Sequence, residues 1–226
     1  MNEIDMQASW VPDAAYSAPV KAIGLEKRET GKRILDVLVA SAGLLAVSPI
    51  MLVVALLIKL EDPRGPVFFA QVRVGKDAKR FRMFKFRSMV TDAEARLAQL
   101  MEKNEISGAM FKMKDDPRVT RIGRFIRRTS IDELPQLWNV LRGDMSIVGP
   151  RPPLEWEVAL YSEYDYQRLA VVPGCTGLWQ VSGRNQLSFE EMVELDLRYI
   201  DQRSIIFDIK IMLRTVGMIF GSKNAY

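Results

Sequence analysis

Among its 226 residues the chain has no histidine and a single cysteine, Cys175. Ser-His-Asp and Cys-His catalysis are therefore excluded, as are zinc sites built from His and Cys. One cysteine cannot form an internal disulfide, which fits a reducing compartment. No internal repeat is visible. The chemistry left to the chain must use carboxylates, Lys, Arg, Tyr or hydroxyls. Carboxylates serve as nucleophiles in aspartyl-phosphate enzymes. They are also the hard oxygen ligands that Mg²⁺ prefers.

Hydrophobic residues make up 48% of the chain, enough for a substantial core. The length suits one domain with an appendage. A net charge of +4 and a pI near 9.2 point to an anionic partner: nucleic acid, a phosphorylated substrate or an acidic membrane.

Residues 1–30 show no sustained periodicity and read as a mobile tail, in which Trp10 and Tyr16 could be a docking point. Lys32-Arg33 then lead into an apolar run, Ile34 to Ile58, whose only charge is Asp36. As a straight helix the run spans about 37 Å, enough to cross a bilayer. Ser48-Pro49 disturbs that reading, because Pro49 cannot donate a helical hydrogen bond. A kinked spanning helix and a re-entrant hairpin both fit. Charge favours the hairpin. Lys27, Arg28, Lys32 and Arg33 precede the run, and nine cations from Lys59 to Arg87 follow it. Positive flanks stay cytoplasmic, so both ends belong on one side.

Val67–Val74 and Phe81–Arg87 flank Gly75-Lys76-Asp77-Ala78 and predict a β-hairpin. Lys85 and Arg87 on its second strand form a basic face, either solvated or turned to phosphates. Thr91 to Glu105 predicts an amphipathic packing helix with a Thr91/Glu94 capping box. Asp115-Asp116-Pro117 reads as a turn, with metal binding as the alternative. Arg121–Arg128 predicts a short basic helix with Ile122, Phe125 and Ile126 on its apolar side.

The stretch from Arg127 to Val140 carries the sharpest signal. Asp132 and Glu133 sit where a helix should begin, between Ser130 and Asp132, with Pro135 in the first turn. Ser130 and Glu133 also fit a capping box, so the acidic pair has a structural reading beside the catalytic one. Arg127, Arg128 and the helix start favour an ionised Asp132. Gly143 is a plausible helix stop. Prolines on both sides of Arg151 restrict its backbone and preorganise it for bidentate phosphate contact. Residues 173–185 form a donor-rich loop with Thr176, Gln180, Ser182 and Arg184, suited to a nucleotide or sugar. The loop is neither a Walker A nor a G-x-G-x-x-G motif. Cys175 lacks a base partner and reads as structural. Ser188 and Glu191 cap a helix to about Gln202, with Met192, Leu195 and Tyr199 along one side. A last apolar helix, Ser204 to Phe220 with Lys210 and Arg214, reads as core or interfacial.

Together these landmarks resemble the bacterial sugar transferases, the monotopic polyprenyl-phosphate phosphoglycosyl transferases. The resemblance runs from Lys32 to Phe220. It rests on Lys32-Arg33, Ser48-Pro49, Phe84 to Met89, Ser130 to Leu137, Gly149-Pro150-Arg151-Pro152 and Pro173-Gly174 through Arg184. The closest look-alikes begin rhizobial-type exopolysaccharide with a galactosyl phosphate. The resemblance implies an α+β fold, mainly helical with a small β-hairpin, carrying a re-entrant membrane helix and interfacial amphipathic helices. It implies three parts: a tail at 1–30, a membrane helix at 31–60 and a catalytic domain at 61–226 on the cytoplasmic face of the bacterial inner membrane.

The implied reaction moves a hexose-1-phosphate from UDP-galactose or UDP-glucose to polyprenyl (undecaprenyl) phosphate and releases UMP. Asp132 is then the nucleophile and a ligand of Mg²⁺, and Glu133 is its partner. Arg127 and Arg151 match the family's phosphate-binding arginines, and Ser48-Pro49 its helix break. Lys85, Arg87, Gln180 and Arg184 complete the expected substrate contacts. Many relatives carry further membrane helices upstream, so the chain reads as a minimal catalytic form. A homo-oligomer is compatible with this reading; a nucleic-acid partner is not expected. Two rivals stand beside it: a membrane-tethered nucleic-acid binder and a non-catalytic scaffold of a polysaccharide assembly complex.

Overall fold

A computed structural model describes residues 25–93, 95–96, 116–183 and 187–221. Side chains are described from Glu29 to Met218 within those ranges. The elements are helices α1 (Leu25–Glu61), α2 (Arg121–Arg128), α3 (Gln136–Arg142), α4 (Glu155–Val158), α5 (Glu163–Tyr166), α6 (Phe189–Gln202) and α7 (Ile205–Gly221), with strands β1 (Phe68–Val74), β2 (Arg80–Phe86), β3 (Ser146–Val148) and β4 (Gly174–Thr176). The helical majority and the small hairpin agree with the sequence.

α1 is one helix of 37 residues with Pro49 inside it. The Ser48 hydroxyl donates to the Leu45 carbonyl at 2.9 Å, which satisfies one acceptor in the turn crowded by the proline. α1 is long and apolar enough to cross a membrane, and most of its length is not covered by protein. Leu38, Leu45 and Leu52 are 63%, 77% and 72% exposed. The helix begins at Leu25, earlier than the expected boundary near residue 31. Glu29 holds that first turn through an ion pair with Arg203 at 2.6 Å.

Both ends of α1 are tied to the same globular body. At one end Arg33 donates to the Val140 and Leu141 carbonyls in the last turn of α3, where Leu141 has no following turn to accept from. Asp36 accepts from Ser146 Oγ at 3.0 Å and from the Ile147 N–H at 2.9 Å. This explains the lone charge in the apolar run. Toward the other end Val54 and Ile58 pack with Phe86 and Ile126. Glu61 accepts from the Arg121 and Ile122 N–H groups at 2.8 and 3.1 Å, capping α2 from outside its own sequence.

β1 and β2 pair antiparallel, Phe68 opposite Phe86 through Val74 opposite Arg80. Their connection is a 3₁₀ turn, Lys76–Ala78, with Asp77 and Ala78 at φ 53° and 58°. The structure departs from the sequence reading around the two proline-rich segments. Ser146–Val148 and Gly174–Thr176 form a parallel two-stranded sheet where loops were expected. Gly149 and Gly174 lie back to back, and a Cβ on Gly174 would meet the Gly149 nitrogen at 2.1 Å. The main core lies beneath this sheet: Ala40, Val140, Met145, Ile147, Val148, Leu178, Tyr199 and Ile211.

Gly143 stops α3 at φ 90°, and Ser188 with Glu191 caps α6, both as expected. On α6 the expected Tyr199 is buried and Leu195 packs against the core, while Val193 and Asp196 join the buried side where Met192 was expected. Asp196 is tolerated there because Arg168 donates to it from Nε at 2.9 Å. α7 is half core and half apolar surface. Ile211 and Asp208 are buried, while Ile206 and Leu213 are 68% and 67% exposed. The Thr91 capping box and most of the Thr91–Glu105 helix lie outside the described residues, and Ala93, Ala95 and Arg96 are helical. Asp116 is bound by Arg118, which donates from its backbone N–H and its guanidinium, so the turn is closed by an ion pair.

Candidate active site

Asp132 and Glu133 lie on a 3₁₀ turn, Ile131–Glu133, between α2 and α3. The expected capping box does not form. Ser130 takes the left-handed conformation at φ 55°, and its side chain makes no cap bond. The α-helix starts only at Gln136, after Pro135. The acidic pair is therefore presented on a tight turn, and the N-terminus of α3 does not bind it.

Adjacent positions on such a turn point differently, and the pair divides accordingly. Asp132 is buried at 9% exposure, while the Glu133 side chain is 44% exposed and receives a hydrogen bond from Lys85 Nζ at 2.7 Å. Lys85 reaches it because β2 is fastened to α3. Asn139, fully buried, accepts from the Phe84 N–H at 2.9 Å and donates to the Arg82 carbonyl at 2.7 Å. Its amide continues the strand's hydrogen bonding where, among the described residues, β2 has no third strand beside it.

Burial pushes the Asp132 carboxyl up to about 6, with the charge of Glu133 adding to it and those of Lys85 and Arg127 opposing it. The sequence favoured a lowered value from the nearby arginines. Desolvation outweighs them. A carboxyl titrating near 6 is still about nine-tenths ionised at pH 7, and its basicity is closer to that needed by a group that must react at that pH.

Arg127 lies in the last turn of α2 and acts on Asp132 by its field. Arg151 follows β3, is 39% exposed in its side chain, and stands 4.0 Å from Glu157. Arg87 has a carboxylate partner of its own, Asp62. Its guanidinium is buried, donates to the Asp62 carboxylate and reaches the Asp62 carbonyl at 3.2 Å. It ties β2 to the segment after α1. Gln180 lies on a 3₁₀ turn, Trp179–Val181, beside Gly177 on the β3–β4 side of the molecule. Arg184 lies outside the described residues. Burial pushes the Cys175 thiol up, in keeping with a structural residue on β4.

One residue escaped the sequence reading. Arg73 is buried at 5% exposure on β1, and its charge interacts with Arg151, Glu157 and Glu133. Its signal was an arginine set between two valines, Val72 and Val74, in the strand.

No cluster of three or more His, Cys, Asp or Glu side chains occurs among the described residues. The acidic pair offers at most two carboxylates, one of them engaged by Lys85. That donor set suits Mg²⁺ held by one or two carboxylates together with water and substrate phosphate, rather than a cation caged wholly by protein.

Over residues 27–222 the chain matches the bacterial sugar transferase family, and it belongs to that family. It is 49% identical over 189 residues to the galactosyl transferase CpsE of Streptococcus agalactiae serotype III, covering 83% of this chain and 42% of that protein. It is 42% identical over 200 residues to the undecaprenyl-phosphate galactose phosphotransferase of Salmonella typhimurium, covering 86% and 41%. With the exopolysaccharide production protein ExoY of Sinorhizobium fredii it shares 40% identity over 199 residues, covering 86% and 88%. The chain thus spans about two-fifths of the first two relatives and most of the third.

Proposed function

We propose that the protein transfers hexose-1-phosphate from a UDP-sugar to polyprenyl phosphate and releases UMP, as the first membrane step of an exopolysaccharide. The observation that carries this reading is a buried Asp132, raised to about 6, beside a Lys85-bound Glu133 and under the field of Arg127. The relatives' names supply the substrate class, galactose or glucose carried by UDP and a lipid carrier.

In the proposed sequence an Asp132 oxygen attacks the β-phosphorus of the donor. A P–O bond forms to the carboxylate, and the bond from the β-phosphorus to the bridging oxygen breaks with loss of UMP. A phosphate oxygen of the polyprenyl acceptor then attacks the same phosphorus. The acyl–phosphate bond breaks, Asp132 is restored, and the sugar diphospholipid leaves. Arg127 and Arg151 favour the anionic diphosphate, and Glu133, held by Lys85, is the partner in the two transfers. Mg²⁺, bound in part by Asp132, would neutralise diphosphate charge when present. Two steps at one carboxylate imply ping-pong kinetics.

The same reading places α1 as a re-entrant membrane helix on the cytoplasmic face. Supporting it, Arg33 and Asp36 near one end and Glu61 at the other are bonded to one globular body. A spanning helix would hold those ends on opposite sides of a core about 30 Å thick. The exposed leucines of α1 and the exposed Ile206, Leu213 and Val216 of α7 supply surface for lipid.

The test is to incubate purified protein with undecaprenyl phosphate and a UDP-sugar panel and to follow the nucleotide. UMP should appear with UDP-galactose or UDP-glucose, stop with EDTA and return with Mg²⁺. Release of UDP would mean ordinary glycosyl transfer, and turnover in EDTA would exclude the metal.

A further inference from the structure

The turn Gly149–Pro153 is clamped on two sides. From β4, Gly174 donates to the Pro150 carbonyl at 2.8 Å, and the Gly149 N–H donates to the Thr176 carbonyl at 2.9 Å. From β1, the Val74 N–H donates to the Pro153 carbonyl at 3.0 Å, and Arg73 Nη1 donates to the Pro152 carbonyl at 3.1 Å. Pro150, Pro152 and Pro153 are buried, and Arg151 stands out between them. Arg73 itself is oriented by Gln71, whose Oε1 accepts from Nη2 at 2.7 Å and from Nε at 3.2 Å.

We propose that Arg73 is a positioning residue for the diphosphate of the donor: it grips the carbonyl that follows Arg151 and so aims the Arg151 guanidinium into the site. This rests on the reading of the substrate as a UDP-sugar. Among the described residues no carboxylate lies within ion-pair distance of Arg73, and Arg151 has only Glu157 at 4.0 Å. Burial first, and then the neighbouring Arg151, bring the Arg73 guanidinium down to about 10. A buried cation without a close counter-charge costs stability, and an apolar residue would fill the same place without that cost. Two arginines with so little carboxylate between them make a site of excess positive charge, which a diphosphate matches.

A double-mutant cycle separates this role from packing. UDP binding to the full-length, detergent-solubilised protein is measured by calorimetry for wild type, Arg73→Gln, Arg151→Gln and the double variant, with melting temperatures alongside. Arg73→Gln should weaken UDP binding about tenfold in wild type and less than about twofold once Arg151 is gone. Gln71→Met, which keeps the arginine but frees it, should weaken binding in the same direction and show the same dependence on Arg151, even if Arg73→Gln folds poorly. Additive losses, or wild-type affinity in Arg73→Gln, would overturn the proposal. The reaction is judged separately. Coupling in UDP binding without any UMP release sinks the transfer reading and leaves the positioning role standing. UMP release with additive losses does the reverse. A wild-type protein that does not bind UDP overturns both.

Discussion

A nucleophilic carboxylate must be ionised when its substrate arrives, yet Asp132 is buried. The rise from the usual 3.8 to about 6 makes the charged form uncomfortable, by up to about 3 kcal/mol. The sign follows from proton binding. Between pH 4 and 6 the folded chain holds a proton at Asp132 that the unfolded chain has released. The penalty is therefore absent at pH 4 and complete above 6. Asp132→Asn should abolish UMP release, yet raise stability by about 1 to 3 kcal/mol at pH 7.5 and by almost nothing at pH 4, read as melting temperature across pH. Equal melting temperatures at both pH values would show that the site is not strained. The rate should fall as pH drops through about 6. Glu133→Gln removes a like charge and should move this acidic limb to lower pH in whatever activity remains. Lys85→Met removes an opposing charge and should move it to higher pH. Shifts in the same direction would show that the limb belongs to another group. The residue types of this site were legible in the sequence. The depth at which Asp132 sits was not, because burial is set by β2, α2 and α3 meeting around the turn.

Elements with local signals were the ones the sequence disclosed. The hairpin announced itself by alternation, α2 by apolar spacing, α6 by its cap and apolar spacing, and α3 by Gly143. The β3–β4 pair gave no such sign. Each strand has three residues, they are parallel, and their registry depends on two glycines approaching backbone to backbone. The Ser130 capping box failed for a related reason. The motif was present, but the chain turns left-handed at Ser130, and Ile131 packs against the cluster that holds Ile126 of α2. α1 carries its own prediction. Asp36 is the acceptor for two donors of β3, Ser146 Oγ and the Ile147 N–H. Asp36→Leu should orphan the Ile147 N–H, while Ser146 Oγ keeps the Val148 carbonyl as its acceptor, and cost about 1 to 3 kcal/mol; Asp36→Asn keeps an acceptor and should cost about 1. Thermal melting of the two variants in detergent decides it; a leucine variant as stable as wild type would show that Asp36 does not hold β3.

For the molecule as a whole the question is on which side of the membrane each end of α1 lies. With Cys175 replaced by Ser, single cysteines introduced at Thr30 and Asp77 should both react with an impermeant thiol reagent only from the cytoplasmic side. Labelling of position 30 from the periplasm would establish a spanning helix. Pro49→Ala removes the residue that cannot donate within α1 and should shift some molecules toward that spanning state. The family was legible across the whole length because its landmarks lie in order along the chain. The contribution of Arg73 was not, because it depends on β1 meeting a turn 79 residues later in sequence.

The bond from the Ile147 N–H to Asp36 also sets a timetable. The two residues are 111 positions apart, which at about 5 to 20 residues per second is about 6 to 22 s of synthesis. During that interval the nascent anchor carries a carboxylate whose β3 partners do not yet exist. A helix holding such a charge enters lipid reluctantly, so on the membrane reading proposed above full insertion is expected to wait until the strand leading to Arg151 has emerged. Chains truncated at residue 140 should accordingly be extracted from membranes by alkaline carbonate more readily than chains truncated at 160. On that reading the proposed anchor and the turn that carries Arg151 would mature in one event.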